Sequence, residues 1–372
     1  MGVNSRMSQE FPELGIYTLP GRISDPKRTL EEVPLAERLG IGSVWPAERY
    51  DFKNVEVLCG AAAAITSQIK IATGLMNYPT HHPMELCSFG ATMSHLSDNR
   101  FAMGFARGFD ALYDIFGTKR ANLQGLREIS EVLRGLWSGG TFSGENSLGN
   151  FPYLYMSEAP KEAPPMLLGA IGPKALALAG RHYDGVLLHP CLTDKAIAES
   201  AEIVRGAAER AGRERNACKV WATLVIAADQ SEEETLAIGP ARLLTYIHMQ
   251  NYGELLCKIN DWDPVVLTKI RNHPLFEGGK SADQDFTRYE TAEVTSLFPG
   301  HWMPESAALG SAGYCAKRIN DQFDAGADGV LFHGSLPRQV EGLLEAYRAV
   351  RRVGYFDKHD PWFVPSPPGT GL

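Results

Sequence analysis

Four side chains able to bind charge or move a proton stand where short apolar runs give way to loops. Glu48 and Arg49 follow Ser43–Trp45, His189 closes Gly185–His189, and His333 closes Gly329–His333. Histidine is the side chain that titrates unaided near neutral pH, so His189 and His333 are the candidates for proton transfer. Glu48 and Arg49 present a carboxylate and a cation that could tune a bound ring or grip a substrate. Each has a plainer reading: a packed, hydrogen-bonded histidine, or a surface ion pair worth little.

Glycines mark three further strand ends. In IATGLMNYP (71–79), Gly74 interrupts a β-branched run, which signals a bulge or a close backbone approach to a ligand. In FAMGFARGFD (101–110), Gly104 and Gly108 flank Arg107, whose guanidinium could hold a phosphate bidentately or be solvated. In MLLGAIGPKALALAG (166–180), Gly172-Pro173 sets Pro at a first helical position and leaves unpaired N–H groups, a ready anion site. No HExxH, P-loop, EF-hand or GxSxG pattern is present, and the six cysteines form no CxxC pair. They read as reduced, buried thiols, and no metal is expected.

The elements that must position these residues show in a rhythm repeated eight times, an apolar run followed by an amphipathic helical stretch. The runs are Leu14–Leu19, Ser43–Trp45, Ile69–Met76, Phe101–Phe105, Met166–Ala170, Gly185–His189, Val220–Ala227 and Gly329–His333. Runs without internal alternation imply parallel strands buried on both faces. Eight such units predict an α/β fold, a (β/α)8 TIM barrel, with its chemistry at the C-terminal strand ends.

Arg28–Leu39 reads as the first helix, kinked or broken at Pro34 unless that residue lies in the first turn. Residues 138–165 read as a hairpin-bearing insertion after strand 4. A second, irregular tract at 252–303, after strand 7, would cover the mouth as a lid or binding loop. The organisation expected is a frayed or disordered N-terminus (1–12), a single domain (13–353), and a Pro/Gly-rich tail (354–372) that is extended or disordered.

At 372 residues, with 44% hydrophobic and 22% charged residues, the composition is that of a soluble globular protein. A net charge of −8 argues against nucleic-acid binding. No apolar stretch approaches the roughly 18 residues of a membrane span, and the polar N-terminus is not a secretory signal. A cytoplasmic protein acting on a small-molecule substrate is expected.

Taken in order, five segments resemble the luciferase-like flavin and deazaflavin oxidoreductase family. They are LAERLGIGSVWPAER (35–49), AAAAITSQIKIATGL (61–75), HHPMELCSFGATMSHLSDNRFAMGFARG (81–108), PPMLLGAIGPKALALAGRHYDG (164–185) and DAGADGVLFHG (324–334). Within the family they look closer to enzymes that use coenzyme F420, the deazaflavin, than to luciferases proper. The resemblance implies a homodimer with the cofactor ring in the strand-end mouth. It matches Gly74 and Leu75, followed by Met76 and Asn77, to the bulge beneath the ring, usually carrying a non-prolyl cis peptide. Ala106, Arg107 and Gly108 match the loop along the cofactor side chain, Ala170, Ile171 and Gly172 the turn at its phosphate, and Glu48 an acidic position beside the ring.

Two positions depart from the family's sugar-phosphate dehydrogenases, which carry a histidine base where this chain has Arg49 and an acid where it has Phe109. Arginine cannot act as a base near neutral pH. The activity expected is therefore F420-dependent hydride transfer to or from another small organic substrate. The alternatives are FMN-dependent oxygenation and a flavin- or deazaflavin-binding protein without turnover.

Overall fold

Parallel pairing takes up every one of the eight apolar runs. The computed structural model describes residues 9–20, 23, 25–49, 52–352, 354–356 and 359–369. In chain order the strands are β1 (Phe11–Thr18), β2 (Ile41–Pro46), β3 (Lys70–Ala72), β4 (Phe101–Phe105), β5 (Thr141–Asn146), β6 (Gly149–Tyr155), β7 (Met166–Ala170), β8 (Gly185–Leu188), β9 (Lys219–Ala228), β10 (Ala307–Gly310) and β11 (Gly329–His333). Strands β1, β2, β3, β4, β7, β8, β9 and β11 close into an eight-stranded parallel barrel. Ile16 stands opposite both Val44 and Phe332 in the registers that join first and last strands.

The first helices are α1 (Thr29–Arg38), α2 (Val55–Ile65), α3 (Pro83–Leu96), α4 (Asp110–Phe116), α5 (Leu123–Trp137), α6 (Pro173–His182) and α7 (Asp194–Arg210). Helix α1 runs through Pro34 without a break. The carbonyl four residues earlier belongs to Leu30, which is exposed, so water can satisfy the acceptor that proline leaves unpaired.

The 138–165 segment forms the antiparallel β5–β6 hairpin. It comes after α5 and lies on the outer face of the barrel, with Phe151 edge-on to His82 and Ser147 bonded to Glu128 of α5. The tract expected to be irregular at 252–303 is interrupted by short helices, with an irregular stretch between 277 and 291. It belongs to a longer excursion containing α8 (Glu232–Ile238), α9 (Pro240–Ile247), α10 (Tyr252–Asn260), α11 (Val265–Arg271), α12 (Ala292–Thr295) and α13 (Trp302–Ser306). Strand β10 then pairs with the last four residues of β9, beyond the point where the short β8 stops, and α14 (Ala312–Asp324) leads into β11, which α15 (Glu341–Val350) follows.

Most apolar burial lies between strands and helices. A second cluster fills the barrel interior: Trp45, Ala72, Ala102, Leu167, Leu187, Trp221 and Leu331, joined by Trp362 and Phe363 from the tail. The tail is therefore an internal plug. Phe363 approaches Gly185 so closely that a Cβ there would lie 2.2 Å from its ring, and the Trp221 indole donates to the Pro361 carbonyl at 2.9 Å. Both contacts lie at the first residues of their strands, so the plug closes the N-terminal end. Asp184 anchors it, accepting from the Ser366 N–H at 2.8 Å and pairing with Arg134 at 3.0 Å.

At the other terminus, residues 1–8 lie outside the described residues, and Phe11 already opens β1, inside the stretch expected to fray. All six cysteines are free and buried. No helix among the described residues is long and apolar enough to cross a membrane.

Candidate active site

The centre of the C-terminal mouth is the end of β3. The Gly74–Leu75 peptide is cis. Past this bulge the chain pairs with β4 again, Met76 N–H donating to the Gly104 carbonyl and Ala106 N–H to the Met76 carbonyl, each at 2.8 Å. The Leu75 side chain turns down onto two glycines: a Cβ on Gly104 would lie 2.6 Å from Leu75 Cδ2, and one on Gly169 2.1 Å from Cδ1. Glycine at these two strand positions makes room for the bulge.

Three strand ends are tied together beside it. The Glu48 carboxylate accepts from Asn77 N–H at 2.9 Å and Asn77 Nδ2 at 3.2 Å, and its other oxygen meets His81 Nε2 at 2.7 Å. Burial opposes a charge on His81, but the bond and charge of Glu48, with Glu85 and Glu56, raise its pKa above the ordinary value. The Tyr113 hydroxyl stands 3.0 Å from Asn77 Oδ1 and 2.8 Å from the Arg107 carbonyl, available to either acceptor. Gly108, at φ +68°, fits because a Cβ would strike Asn77 Oδ1 at 2.3 Å. With its side chain only 6% exposed and both oxygens engaged, Glu48 braces the loop.

Arg107 is exposed, and its Nη2 already donates to both carboxylate oxygens of Asp110, at 2.8 and 3.0 Å. Around the β7 turn, Ala170 is buried and Ile171 and Gly172 half-buried. Gly172 caps α6 without a side chain, and nothing stands within 4 Å of where its Cβ would be.

On the opposite side of the mouth the excursion after β9 supplies a set of residues that sequence reasoning did not single out. Arg49 pairs with Asp283 at 2.9 Å, joining the β2 loop to the excursion. Tyr246 and Tyr252 pack on His189 with ring centroids at 4.4 and 5.4 Å, Tyr252 also meets Phe109 at 5.8 Å, and Tyr17 meets His333 at 4.7 Å. The available signal was the density of aromatic and charged residues in that tract; nothing local says which of them turn inward.

The sequence-matching model of the luciferase-like monooxygenase family fits residues 11–329. The chain belongs to this family. It is 26% identical over 296 residues to 5,10-methylenetetrahydromethanopterin reductase of Methanolobus tindarius, covering 78% of this chain and 85% of the relative. Among solved structures it is similar to the coenzyme F420 dependent tetrahydromethanopterin reductase from Methanopyrus kandleri, with a TM-score of 0.76 at 20% identity over 91% of this chain and 99% of that one. It is also similar to an F420-dependent secondary alcohol dehydrogenase in complex with an F420-acetone adduct, with a TM-score of 0.71 at 17% identity and the same coverage. The structural likeness establishes the barrel, and the family makes this chain an oxidoreductase.

The two strand-end histidines of this luciferase-like chain do not titrate near neutrality. Burial lowers His189 to about 3, only partly offset by its bond to the Pro190 carbonyl. Burial, with Arg242, Arg288, His189 and Arg49, holds His333 well below its ordinary value. His189 bonds that carbonyl through Nδ1 at 2.6 Å, which leaves Nε2 as an unpartnered acceptor. Neutral imidazoles can accept a proton or a hydrogen bond here but hold no proton in reserve.

A pH dependence of stability follows. His182 is likewise lowered to about 4, by burial and then by Arg181 and neighbouring arginines. Groups neutral when folded but protonated when unfolded bind more protons in the unfolded chain, so stability falls as pH drops below about 6.5. His81 works the other way, and only above that pH. Between pH 7 and pH 5 His182 and His189 are each expected to remove about 2 kcal/mol. Urea unfolding at both pH values checks this: the H182Q/H189Q variant should lose less than the parent, and an equal loss would refute the assignment.

Proposed function

We infer that this oxidoreductase passes hydride between coenzyme F420 and a small organic substrate. The observation that carries the reading is the Gly74–Leu75 bulge at the centre of the mouth, with glycine-fronted amides on one side of it and a polar, aromatic wall on the other. The bound deazaflavin would supply the hydride chemistry, and the protein orientation, water exclusion and electrostatics. The residues fit such a group. Gly74, Leu75, Met76 and Asn77 would floor the ring, and Ala106, Arg107 and Gly108 would line its side chain through their backbone, since the Arg107 guanidinium is committed to Asp110. Ala170, Ile171 and Gly172 would lead its phosphate to the N-terminus of α6, which no side chain caps. Glu48 acts as a positioning residue that holds Asn77, and the orphaned nitrogens of His189 and His333 would meet ring or substrate.

A deazaflavin is favoured over FMN because F420 bears a carboxylate-rich tail beyond its phosphate. From the N-terminal ends of α5 and α6 a groove of about 470 Å³ runs between these helices, lined by three cations, Arg127, Lys174 and Arg181, and by no acid. Fluorescence titration is expected to give at least tenfold tighter binding of F420 than of FMN, a gap of about 1.4 kcal/mol. Equal or reversed affinities would make this an FMN enzyme.

The substrate is not expected to be a sugar 6-phosphate oxidised by the pair its relatives use. Arg49 is held by Asp283, and Phe109 by Tyr252.

A further inference from the structure

Among the described residues, the excursion after β9 brings two arginines and one carboxylate, Asp283, to the side of the mouth where Arg49 stands. Arg242 on α9, Arg288 in the segment before α12, and Arg49 all act on Asp283 and hold its carboxyl below the ordinary range against the effect of burial. Burial lowers Arg288 to about 10, Arg242 and Arg49 add to that, and Asp283 is the one carboxylate opposing it. Three guanidiniums thus act on the Asp283 carboxylate.

Their hydrogen-bonding capacity is also unspent. Arg242 is 9% exposed, and one of its terminal nitrogens meets the Tyr246 hydroxyl, yet its Nε is buried without a partner. Arg288 Nη2 is likewise buried without a partner. Unmet donors on buried cations are costly, and a ligand that supplies acceptor oxygens removes that cost. The rings of Tyr246, Tyr252 and His189, tilted 32–73° to one another, and of Tyr17, which packs on His333, supply an aromatic surface beside these donors.

The geometry points to an anionic substrate: a carboxylate or phosphate group gripped by Arg242 and Arg288, on a planar body packed against these rings. The inference rests on the hydride-transfer reading for its position beside the ring.

Calorimetric titration of the purified protein, with and without F420, tests it with benzoate and phenyl phosphate as anionic probes and benzamide as the neutral isostere. Saturable binding of at least one anion is expected, with benzamide at least tenfold weaker, and the anion that binds more tightly identifies the group. Arg288→Met should weaken the anion at least tenfold while leaving F420 affinity within about twofold, and Arg288→Lys should recover part of the loss. Asp283→Asn, which removes the competing carboxylate, should strengthen anion binding.

Four results would overturn the anion site: no saturable binding of either anion at millimolar concentration, equal binding of benzamide, an Arg288→Met protein that folds and binds the anion as before, or a loss of F420 affinity alone. Anion binding that depends on Arg288 in a protein that binds no F420 would instead sink the hydride-transfer reading and keep the site.

Discussion

Replacing Trp362 and Phe363 together by alanine is expected to lower stability by about 6 kcal/mol or more, since large aromatic-to-alanine changes in a core cost about 3–5 kcal/mol each. Both side chains are almost wholly buried, at 5% and 4% exposure, among Trp45, Trp221 and the small residues Ala72 and Ala102. Their removal leaves Trp45 and Trp221 facing a void that these alanines cannot fill. A loss of this size rivals the whole stability of many proteins, roughly 5–15 kcal/mol, so much of the variant should be unfolded or aggregated. Val364, next in sequence but 66% exposed, is the control: its alanine variant should stay within about 0.5 kcal/mol. Denaturant unfolding decides the matter, and a double variant within about 1 kcal/mol of the parent would show that the barrel closes without its plug.

The second large effect belongs to Gly74. A Cβ there would lie 2.9 Å from Tyr17 Cε1 and 3.2 Å from Trp45 Cβ. Neither neighbour can give easily: Trp45 is fully buried against Trp221, and Tyr17 packs on His333. Gly74→Val must therefore displace the bulge itself, and F420 affinity is expected to fall more than tenfold, or about 1.4 kcal/mol. Gly60→Ala on α2, where nothing stands within 4 Å, should bind as the parent does. A Gly74→Val protein with unchanged F420 affinity would place the ring away from the end of β3, and the roles proposed for Asn77, Ala106 and Gly172 would lose their common reference.

The proposed substrate side carries a functional corollary. The ion pair of Arg49 with Asp283 spans 234 positions of sequence and ties the β2 loop to the excursion. A substrate anion would compete with Asp283 for the same guanidiniums, so binding and the seating of the excursion over the mouth are coupled through one carboxylate.

The barrel was legible in the residues because its signal is local. Eight apolar runs of strand length, each followed by a helical period, can bury both faces only in a parallel sheet covered by helices, and right-handed crossovers leave few other closures. The strand-end glycines were legible in part for the same reason. Gly74 interrupts a β-branched run, and Gly172-Pro173 is helix-start chemistry, whatever lies elsewhere. The purpose of Gly104 and Gly169 was not legible, because the groups that need the space, the Thr73 carbonyl and the Leu75 side chain, come from the end of β3.

What tertiary structure alone decided is which polar and aromatic residues turn inward, and what that does to their chemistry. Arg242 lies within an apolar helix and Asp283 within a polar segment, and neither neighbourhood hints that they meet. His189 and His333 have ordinary local sequences, yet burial keeps both neutral, because a charge costs most where water cannot reach it. The tail shows the same division. Its prolines do dictate an extended chain, but whether Trp362 and Phe363 dangle in solvent or plug a barrel depends on a hole bounded by strands that lie anywhere from about 30 to 300 residues away in sequence, as Leu331 and Trp45 do.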